Sequence, residues 1–520
     1  MKTKILFLLL FCCSVVLAQK KSNFATMKWG PELEGSRKGS IQEFLGYDDN
    51  AFYLSAYLKS DLLIEKLDKN LGNPQTYTFE EKDAETKEKF EPFSRMYFAD
   101  RLYFLKTNLD KKTKTTTLYA EEINTKTMSV KGKIKKLSDI TYEKRRDKGG
   151  WSTVTSPSDN YLMIIESIPT EKEENEQFNV VMLDSALNQV WRKNLQLPYE
   201  NTLFYRQKFM VDDEGNFYVL GKLYKEKAKE RVRGHVNYMY HIIAFADHGN
   251  SKIDYEVKLA DNFITDITIA KNDGGDIVCA GFYSKKGQAS IDGSFFLTLD
   301  PSTKSIKASN MKEFDIEFMT EYMTEGQEKR AKKREEKGKD DEMYEYDLHT
   351  LIKRSDGGVM LVGEQFFIRQ IQYRCGNSYC TRTNYYYNDI IVVNIDPAGK
   401  IEWAKKIPKR QLSVNDGGFY SSYAIAVTES KIAFIYNDHR DNLDSEKSKR
   451  IKNFNLGDKN GVVTIATVDD NGVVTRDILF DNTETEVIIR PKVCDQIDES
   501  HLLLFGDRRK MEQFGIVTFN

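Results

Sequence analysis

The chain has 520 residues, of which 40% are hydrophobic and 12% aromatic, so it can bury a sizeable core and is not globally disordered. Its 77 basic and 79 acidic residues nearly cancel. Binding of nucleic acid or of an anionic membrane calls for a strongly basic surface, and this balance excludes both as partners recognised by overall charge.

The first 18 residues have the features of a secretory signal peptide. Lys2 and Lys4 precede an apolar run at 5–17, and a small residue, Ala18, stands before Gln19. A transmembrane helix needs about 20 apolar residues, which this run lacks. We therefore expect residues 1–18 to be removed on export.

Lipid attachment at Cys12 or Cys13 is the alternative, but bulky Phe11 precedes the first and both lie early in the apolar run. No later stretch is long and apolar enough to span a bilayer. We therefore expect 19–520 to form one exported domain, monomeric, in the periplasm or outside the cell. Without Lys2 and Lys4, 75 of the 77 basic residues remain against 79 acidic ones, a net charge of about −4.

Three segments share one plan, in which a strand, a tight turn rich in acidic residues and glycine, and a second strand follow one another. They are QKFMVDDEGNFYVLGKLY from Gln207, ITIAKNDGGDIVCAGFY from Ile267 and HTLIKRSDGGVMLVGEQF from His349. The turns supply the positive φ that tight hairpins demand. A third strand, a polar turn and a fourth strand come next. Four short strands per unit, without helices between units, predict the blades of an all-β propeller.

The units predict eight four-stranded blades, with seven as the alternative if the weak second unit is not a blade. They are placed at 40–80, 93–137, 151–198, 205–260, 263–313, 346–408, 419–481 and 488–520. The last unit has three strands. An extra segment near the amino terminus, FATMKWGPELE, can supply the fourth strand, close the ring and cover a sheet edge.

The longer connections all belong to two classes, those between second and third strands and those between blades. They occupy 107–117, 170–177, 225–236, 313–345, 368–389 and 437–461. In a propeller both classes emerge on one face, which we take as the candidate functional face. The alternative is that long loops are merely tolerated, since doubling a loop costs only about 0.6 kcal/mol. Within 320–345 a run rich in charges and helix formers, with Glu328 four residues before Lys332, predicts an exposed helical insertion.

The segment at 368–389 predicts a long hairpin that stands out from this face. Cys375 and Cys380 flank its tip, and in an exported protein such a pair predicts a disulfide. A metal site would need further ligands, and no other His or Cys lies nearby in sequence. Cys279 and Cys494 lie in strand patterns and are expected to be buried thiols.

Tyrosines and arginines surround the hairpin tip and are the candidate binding residues, because both types are favoured in interfaces. They are Tyr373, Arg374, Tyr379, Arg382, Tyr385, Tyr386 and Tyr387. The alternative is that tyrosine and threonine simply form strands well on an exposed hairpin.

Motifs of nucleophilic, zinc or phosphate chemistry are absent from the sequence, so we expect no cofactor and no metal. IDPAGKIEWAKKIP resembles the repeat of propellers related to quinone-cofactor dehydrogenases, with Asp396, Gly399 and Trp403 at the matching positions and Asp184 and Trp191 matching in part. Those enzymes use adjacent cysteines at the cofactor, which 19–520 lacks, so the resemblance implies the fold only. The segment at 385–423 further resembles uncharacterised secreted bacterial proteins.

Two functions fit this sequence. The first is a non-enzymatic binding or scaffolding propeller of the bacterial envelope, which engages a protein or glycan through its loop-rich face. The second is a hydrolase or lyase that acts on a polymer through carboxylates at the channel mouth. Convergent carboxylates about 5–9.5 Å apart would favour the enzyme, and an aromatic surface would favour the binding protein. Fold cannot decide between them, because propellers host both. The absence of a catalytic motif favours the first.

Overall fold

The computed structural model describes residues 19–520 apart from short gaps, and the predicted signal peptide lies outside the described residues. The gaps are 35–38, 59–60, 83–86, 145–147, 169–172, Gly234, 260–261, Asp273, 286–289, 301–302, Lys304, 323–324, 336–342, Glu345, Ser355, 444–450, Asp458, Glu486 and Lys510. Nearly all regular structure in the described residues is strand, which confirms the all-β prediction.

Three short strands come first, and the strands of three sheets follow them in chain order. The short strands are β1 (Gln19–Lys21), β2 (Ala25–Trp29) and β3 (Leu33–Glu34). The first sheet has β4 (Gly39–Tyr47), β5 (Ala51–Leu58), β6 (Asp61–Asp68) and β7 (Gln75–Thr78). The second has β8 (Glu91–Phe98), β9 (Arg101–Asp110), β10 (Thr115–Asn124), β11 (Ser129–Val130) and β12 (Lys135–Thr141). The third has β13 (Gly150–Thr155), β14 (Tyr161–Ser167), β15 (Asn175–Asp184) and β16 (Gln189–Glu200).

The fourth and fifth sheets are each accompanied by short strands outside the main ladder. The segment from 204 to 257 has β17 (Phe204–Val211), β18 (Phe217–Tyr224), β19 (Arg231–Val232), β20 (His235–Val236), β21 (Tyr238–Ala246) and β22 (Ser251–Val257). The next has β23 (Phe263–Lys271), β24 (Ile277–Ser284), β25 (Ser290–Ile291), β26 (Gly293–Asp300) and β27 (Ser305–Glu313). The connection to the sixth sheet has α1 (Ile316–Thr320), α2 (Glu325–Glu335) and β28 (Met343–Tyr344).

The last three sheets complete the chain. The sixth has β29 (Tyr346–Lys353), β30 (Val359–Cys375), β31 (Ser378–Ile395), β32 (Ile401–Ile407) and β33 (Gln411–Val414). The seventh has β34 (Ala424–Val427), β35 (Lys431–His439), β36 (Gly461–Asp469) and β37 (Val474–Asp481). The eighth has β38 (Ile488–Ile489), β39 (Asp495–Asp498), β40 (His501–Arg508) and β41 (Met511–Phe519).

In each main sheet four strands form an antiparallel meander, and in the second, sixth and eighth sheets short additional strands pair beside it, as β11 does with β10, β33 with β31 and β38 with β40. The described residues form eight sheets of four or more strands, and β19–β20 and β25–β28 form separate two-stranded ribbons. The unit at 93–137, whose status as a blade was open, forms a sheet of its own. In the eighth sheet β2 pairs with β41, from Ala25 opposite Phe519 to Trp29 opposite Gly515. The amino-terminal segment therefore occupies the fourth position of the last sheet.

The core lies between sheets, because each cluster of buried apolar residues joins one sheet to the next. Tyr218 and Phe295, for example, belong to a cluster shared by the fourth and fifth sheets. The other consecutive pairs share clusters of the same kind. Phe505 of the last sheet and Phe52 of the first share another, so the order of contacts returns to its starting point. First strands also contact one another, as β23 does β29 and β39 does β4.

A bulge and a facing glycine recur at the first strand of the middle sheets. The pairing of β23 with β24 shifts between Ile264 and Asp266, and Gly281 lies beside this shift. A Cβ added at Gly281 would lie 2.1 Å from the carbonyl oxygen of Asp266, so no larger residue fits without movement of the backbone. Comparable shifts occur in β17 beside Gly221 and in β29 beside Gly363. The recurring glycines of the sequence thus mark where an irregular strand approaches its neighbour closely.

The acidic turns have the local chemistry that the sequence predicts. In the turn between β17 and β18, Oδ1 of Asp212 accepts hydrogen bonds from the backbone N–H groups of Glu214 and Asn216. Gly215 in the same turn has a φ of 79°, which glycine adopts without a steric penalty. Such turns explain the recurring aspartates without any bound ion.

Candidate functional site

The longer connections leave the sheets at one end, which we call the loop-rich face. Strand direction alternates within a meander, so connections from second to third strands and from one sheet to the next emerge at the same end. The ribbon of β19 and β20, the helices α1 and α2, and the extended hairpin of β30 and β31 all belong to these connections. The expected loop at 107–117 is mostly strand, because β9 continues to Asp110 and β10 begins at Thr115.

The hairpin of β30 and β31 is the largest excursion, with strands of 17 and 18 residues. We call its outer part, residues 366–387, the arm. First-strand β29 pairs with β30 only as far as Gln365. On the other side, β33 pairs with β31 only from Asn384 to Tyr387. Among the described residues, the arm beyond these points has no further strand beside it.

A completely buried ion pair lies beneath the arm. Nζ of Lys409 lies 2.5 Å from Oε1 of Glu364, and neither side chain is exposed to solvent. Lys409 also donates to Oε1 of Gln411, and the hydroxyl of Ser422 donates to the other oxygen of Glu364. Glu364 belongs to β30 and Gln411 begins β33, whereas Lys409 precedes β33 and Ser422 lies between β33 and the seventh sheet. A hydrogen-bonded network thus connects the base of the arm to the chain segment between the sixth and seventh sheets.

The expected disulfide is present at the tip of the arm. Cys375 and Cys380 are bonded, with their Cα atoms 5.8 Å apart. The other two cysteines are free: Cys279 is completely buried, whereas Cys494 is only partly buried, a small correction to the expectation for it. Cys494 accepts a hydrogen bond from the backbone N–H of Phe505, so it takes part in the packing of the last sheet.

The structure divides the candidate binding residues between the two faces of the arm. Residues directly opposite one another in an antiparallel pair share a face, and Arg374 lies opposite Tyr379. Tyr385 and Tyr387 fall on the same face as these two by alternation. Tyr373 and Arg382, together with Tyr386 and the disulfide, lie on the opposite face. A partner that binds one face of the arm therefore cannot contact all of the candidate residues.

Exposure divides the same residues again. Tyr379 is 79% exposed and Tyr373 49% exposed, while Arg374 and Arg382 are also exposed. Tyr385 is half-buried. Tyr387 is buried at the base of the arm, where its hydroxyl accepts a hydrogen bond from Nζ of Lys492 at 2.6 Å. We therefore treat Tyr387 as an anchor of the arm and leave it out of the binding surface.

Three exposed side chains of the arm escaped the sequence interpretation. Ile368 is 50% exposed and Ile371 is 39% exposed, unusual values for isoleucine in a strand. Arg369 places its guanidinium 4.9 Å from the ring centre of Phe367, which itself stacks on Tyr386 at 4.5 Å. The sequence alone does not show that the hairpin lacks neighbouring strands. With that known, the alternation of side chains along the strand would have indicated that these residues are exposed.

The arm is basic throughout. Residues 365–388 contain Arg369, Arg374 and Arg382 and no acidic residue. Among the described residues none of the three arginines forms an ion pair, and the one polar contact of Arg374 is to the carbonyl oxygen of Gly376. The arm therefore carries a local charge of about +3 on a chain whose overall charge is slightly negative.

A cavity of about 430 Å³ opens between the first strands of the fourth, fifth and sixth sheets. Apart from Leu220 of β18, its lining residues come from the first and middle parts of β17, β23 and β29, which places it toward the loop-rich end. They are Tyr205, Arg206, Gln207, Lys208, Leu220, Asp266, Ile267, Thr268, Leu348 and His349. Asp266 is the one carboxylate in this described lining, so the cavity does not offer the pair of acids that glycoside hydrolysis requires.

The charged groups of the cavity are already engaged within the protein. Burial raises the pKa of Asp266, whose carboxylate accepts hydrogen bonds from the backbone N–H groups of Ile267 and Leu348. Nζ of Lys208 donates a hydrogen bond to Oγ1 of Thr268 at 2.9 Å, and burial lowers the pKa of Lys208. Arg206 lies 2.9 Å from Glu176. The contacts of Lys208 with Thr268 and of Asp266 with Leu348 join neighbouring first strands, and Arg206 contacts Glu176 of β15. The charged groups of the lining therefore have structural roles.

Within the described part of the chain, no group of three or more His, Cys, Asp or Glu residues is placed to hold a metal ion. No helix formed by the described residues is long and apolar enough to cross a membrane.

Comparison of the sequence with protein-family models and with curated proteins finds no match. Several solved structures are distantly similar. The β-propeller domain of the Trilobed protease from Pyrococcus furiosus aligns over 85% of this chain and 96% of its own, at 10% identity and a TM-score of 0.35. The NanB sialidase from Streptococcus pneumoniae aligns over 95% of this chain and 94% of its own, at 9% identity and a TM-score of 0.30.

Prolyl oligopeptidase B from Galerina marginata aligns over 91% of this chain and 55% of its own, at 10% identity and a TM-score of 0.38. This chain thus spans about half the length of that enzyme. All three TM-scores lie below 0.5. The resemblances to quinone-cofactor propellers and to secreted bacterial proteins stay predictions from sequence.

Proposed function

We propose that this protein is a non-enzymatic binding or scaffolding propeller of the bacterial envelope, which engages a protein or glycan through its loop-rich face. The arm is the observation that carries the proposal. It combines exposed tyrosine and isoleucine side chains with three arginines that have no ionic partner among the described residues. Aromatic, aliphatic and arginine side chains on a projecting element are typical of interaction surfaces.

The scaffold behind this surface is, in our proposal, an eight-bladed ring closed by the amino-terminal strand. The pairing of β2 with β41 and the cyclic order of the core clusters support that arrangement. A closed ring is rigid, so it holds the base of the arm in a fixed position. Lys409 and Glu364 reinforce that base through a buried ion pair, and Lys492 does so through a partly buried hydrogen bond to Tyr387.

Export to the periplasm or the cell exterior is part of the same proposal. The predicted signal peptide at 1–18 and the disulfide at the arm tip support it. Sequencing of the amino terminus of protein recovered from the periplasmic fraction should begin near Gln19. Recovery of the uncleaved chain from the cytosol alone would contradict the export proposal.

The binding role is tested by removal of the arm. In the test variant, residues 367–386 are replaced by Asn-Gly, a turn that reconnects Phe366 with Tyr387, its partner across the ladder. Immobilised wild type and variant are exposed to envelope extract, and captured proteins and sugars are identified by mass spectrometry and sugar analysis. We expect at least one binding partner of the wild type to be lost from the variant.

A matched control shortens another hairpin on the same face. In this control, residues 111–114 between β9 and β10 are replaced by Asn-Gly, which leaves the arm intact. The control should retain every partner of the wild type. Identical partner sets for the wild type and for the variant without the arm, when both have the same melting temperature, would refute the proposed role of the arm.

A further inference from the structure

The arm has a long strand edge that no described residue covers. From Phe366 to Cys375, β30 pairs with β31 and with no other described strand. All ten residues of this stretch have exposed or half-buried side chains. An uncovered edge presents backbone N–H and C=O groups that can pair with another strand. Soluble proteins usually shorten or cover such edges, so its length here calls for an explanation.

Hydrogen bonds across the hairpin show which backbone groups face this edge. Thr383 donates its N–H to Oδ1 of Asn415 at 2.8 Å and accepts from the N–H of Asn415 at 2.9 Å, so its backbone points away from β30. Gln370 lies directly opposite Thr383. In an antiparallel ladder such a pair is not hydrogen-bonded, so the N–H and C=O of Gln370 point to the open edge.

The same alternation extends the pattern along the strand. Ile368 and Gln372, two residues on either side of Gln370, also direct their backbone groups to the open edge. Arg369 and Ile371 instead pair with β31 through their backbone, opposite Asn384 and Arg382. The edge therefore offers a series of donors and acceptors at the spacing that an added antiparallel or parallel strand requires.

Charge indicates what kind of strand would add. Arg369, Arg374 and Arg382 give the arm three positive charges with no acid between residues 365 and 388. Two arms placed edge to edge would bring six arginines together, which disfavours pairing of two copies of this chain. An extended segment with acidic side chains would place opposite charges beside Arg369 and so would be favoured.

We propose that the open edge of β30 binds an extended acidic segment of a protein partner by strand addition. This inference rests on the proposed function, because it names how the arm engages a partner and what chemistry that partner has. Backbone hydrogen bonds to Ile368, Gln370 and Gln372 supply the pairing. Acidic side chains on the face of Arg369, and apolar side chains on the opposite face beside Ile368, supply the selectivity.

Three synthetic peptides of twelve residues test the mode of binding. The first alternates valine or threonine with glutamate. The second has lysine in place of each glutamate, and the third has the first sequence with alternate backbone amides methylated. Binding to the full mature chain is measured by biolayer interferometry at low and at physiological salt. We expect the first peptide to bind at least tenfold more tightly than either of the others.

Two substitutions at one position separate the edge from the side chains. Gln370→Pro removes the N–H that faces the open edge and leaves the pairing with β31 intact, because proline is tolerated on an edge. Gln370→Thr keeps the N–H and is the matched control. We expect the proline variant to lose at least tenfold in affinity for the acidic peptide and the threonine variant to stay within twofold. Arg369→Gln should lose several-fold, and chiefly at low salt.

The outcomes distinguish this inference from the proposed function. Equal binding of the acidic peptide and its methylated form, or no effect of Gln370→Pro, would overturn strand addition. Equal binding of the acidic and basic peptides would overturn the choice of an acidic partner. Dimerisation of the wild type that Gln370→Pro abolishes would assign the edge to a second copy of the chain and overturn it too. If removal of the arm abolishes capture from extract while Gln370→Pro does not, the binding role stands and strand addition fails.

Discussion

The ammonium group of Lys409 lies 2.5 Å from the carboxylate of Glu364, and both side chains are completely buried. Glu364 is the last buried residue of β30 before the strand enters the exposed hairpin. Lys409 lies between β32 and β33, in the connection toward the next sheet. The ion pair therefore joins the base of the arm to the junction between the sixth and seventh sheets.

Removal of one partner of this pair should destabilise the protein strongly. Lys409→Met leaves the carboxylate of Glu364 buried without the ammonium group that contacts it, a loss that amounts to about 3–5 kcal/mol in comparable cases. The free energy of unfolding, measured by urea denaturation, should fall by this amount. Lys332→Met is the control, because Lys332 forms an exposed pair with Glu328 on α2 and its loss should change stability by less than about 0.5 kcal/mol.

A double variant should recover much of that stability. Glu364→Gln combined with Lys409→Met removes both charges and keeps an oxygen for the hydroxyl of Ser422 to bond. Since an uncharged pair has no desolvation penalty for ions, the double variant should be more stable than Lys409→Met alone. Losses that simply add would show that the two residues do not act as a pair.

Gly281 should not tolerate a side chain. An added Cβ would lie 2.1 Å from the backbone oxygen of Asp266, and backbone cannot move aside as a flexible side chain can. Gly281→Ala should therefore lower the free energy of unfolding by about 1–3 kcal/mol. Gly150→Ala is the control, since nothing lies within 4 Å of a Cβ built there. Equal stabilities of the two variants would contradict the packing argument.

Loss of the disulfide should increase the local opening of the arm and leave the stability of the sheets nearly unchanged. The link between Cys375 and Cys380 closes a short loop, for which chain entropy gives about 2 kcal/mol. Cys375→Ser with Cys380→Ser should therefore speed amide hydrogen exchange in residues 368–386 by at least tenfold. The melting temperature should stay close to that of the wild type. A large fall in melting temperature would show that the arm tip supports the whole domain.

Stability should depend on pH through Asp438, which is completely buried in the seventh sheet. Burial raises its pKa from 3.8 to about 6, although Oδ1 accepts hydrogen bonds from the N–H of His439 and from Nδ2 of Asn442. Between pH 4 and pH 6 the folded state therefore binds more protons than the unfolded state. The contribution of Asp438 is greatest below pH 4 and falls by about 3 kcal/mol as pH rises through 6.

The substitution Asp438→Asn isolates this effect from the other titrating groups. The difference in free energy of unfolding between variant and wild type should become more favourable to the variant from pH 4 to pH 7, by about 2–3 kcal/mol. Urea denaturation at both pH values provides the measurement. A difference that is the same at pH 4 and pH 7 would contradict the raised pKa.

The local features of this protein could be predicted from sequence. The tight turns follow from aspartate and glycine at fixed spacing, as Asp212 and Gly215 illustrate, because the bonds involved span only a few residues. The alternation of apolar and polar residues, together with the spacing of the turns, likewise predicted four strands per unit. The pairing of Cys375 with Cys380 followed from the same local geometry of a hairpin.

Other features depend on which distant segments meet. The sequence predicted that the amino-terminal segment would complete the last sheet, but only the fold gave the register that places Ala25 opposite Phe519. The buried pair of Lys409 and Glu364, 45 residues apart, has no signal in the sequence, since charged residues are usually exposed. The sequence by itself determined the repeating strands and turns, because these depend on neighbouring residues. The tertiary structure decided which charges are buried and which edge of the arm is open, because both depend on what packs alongside.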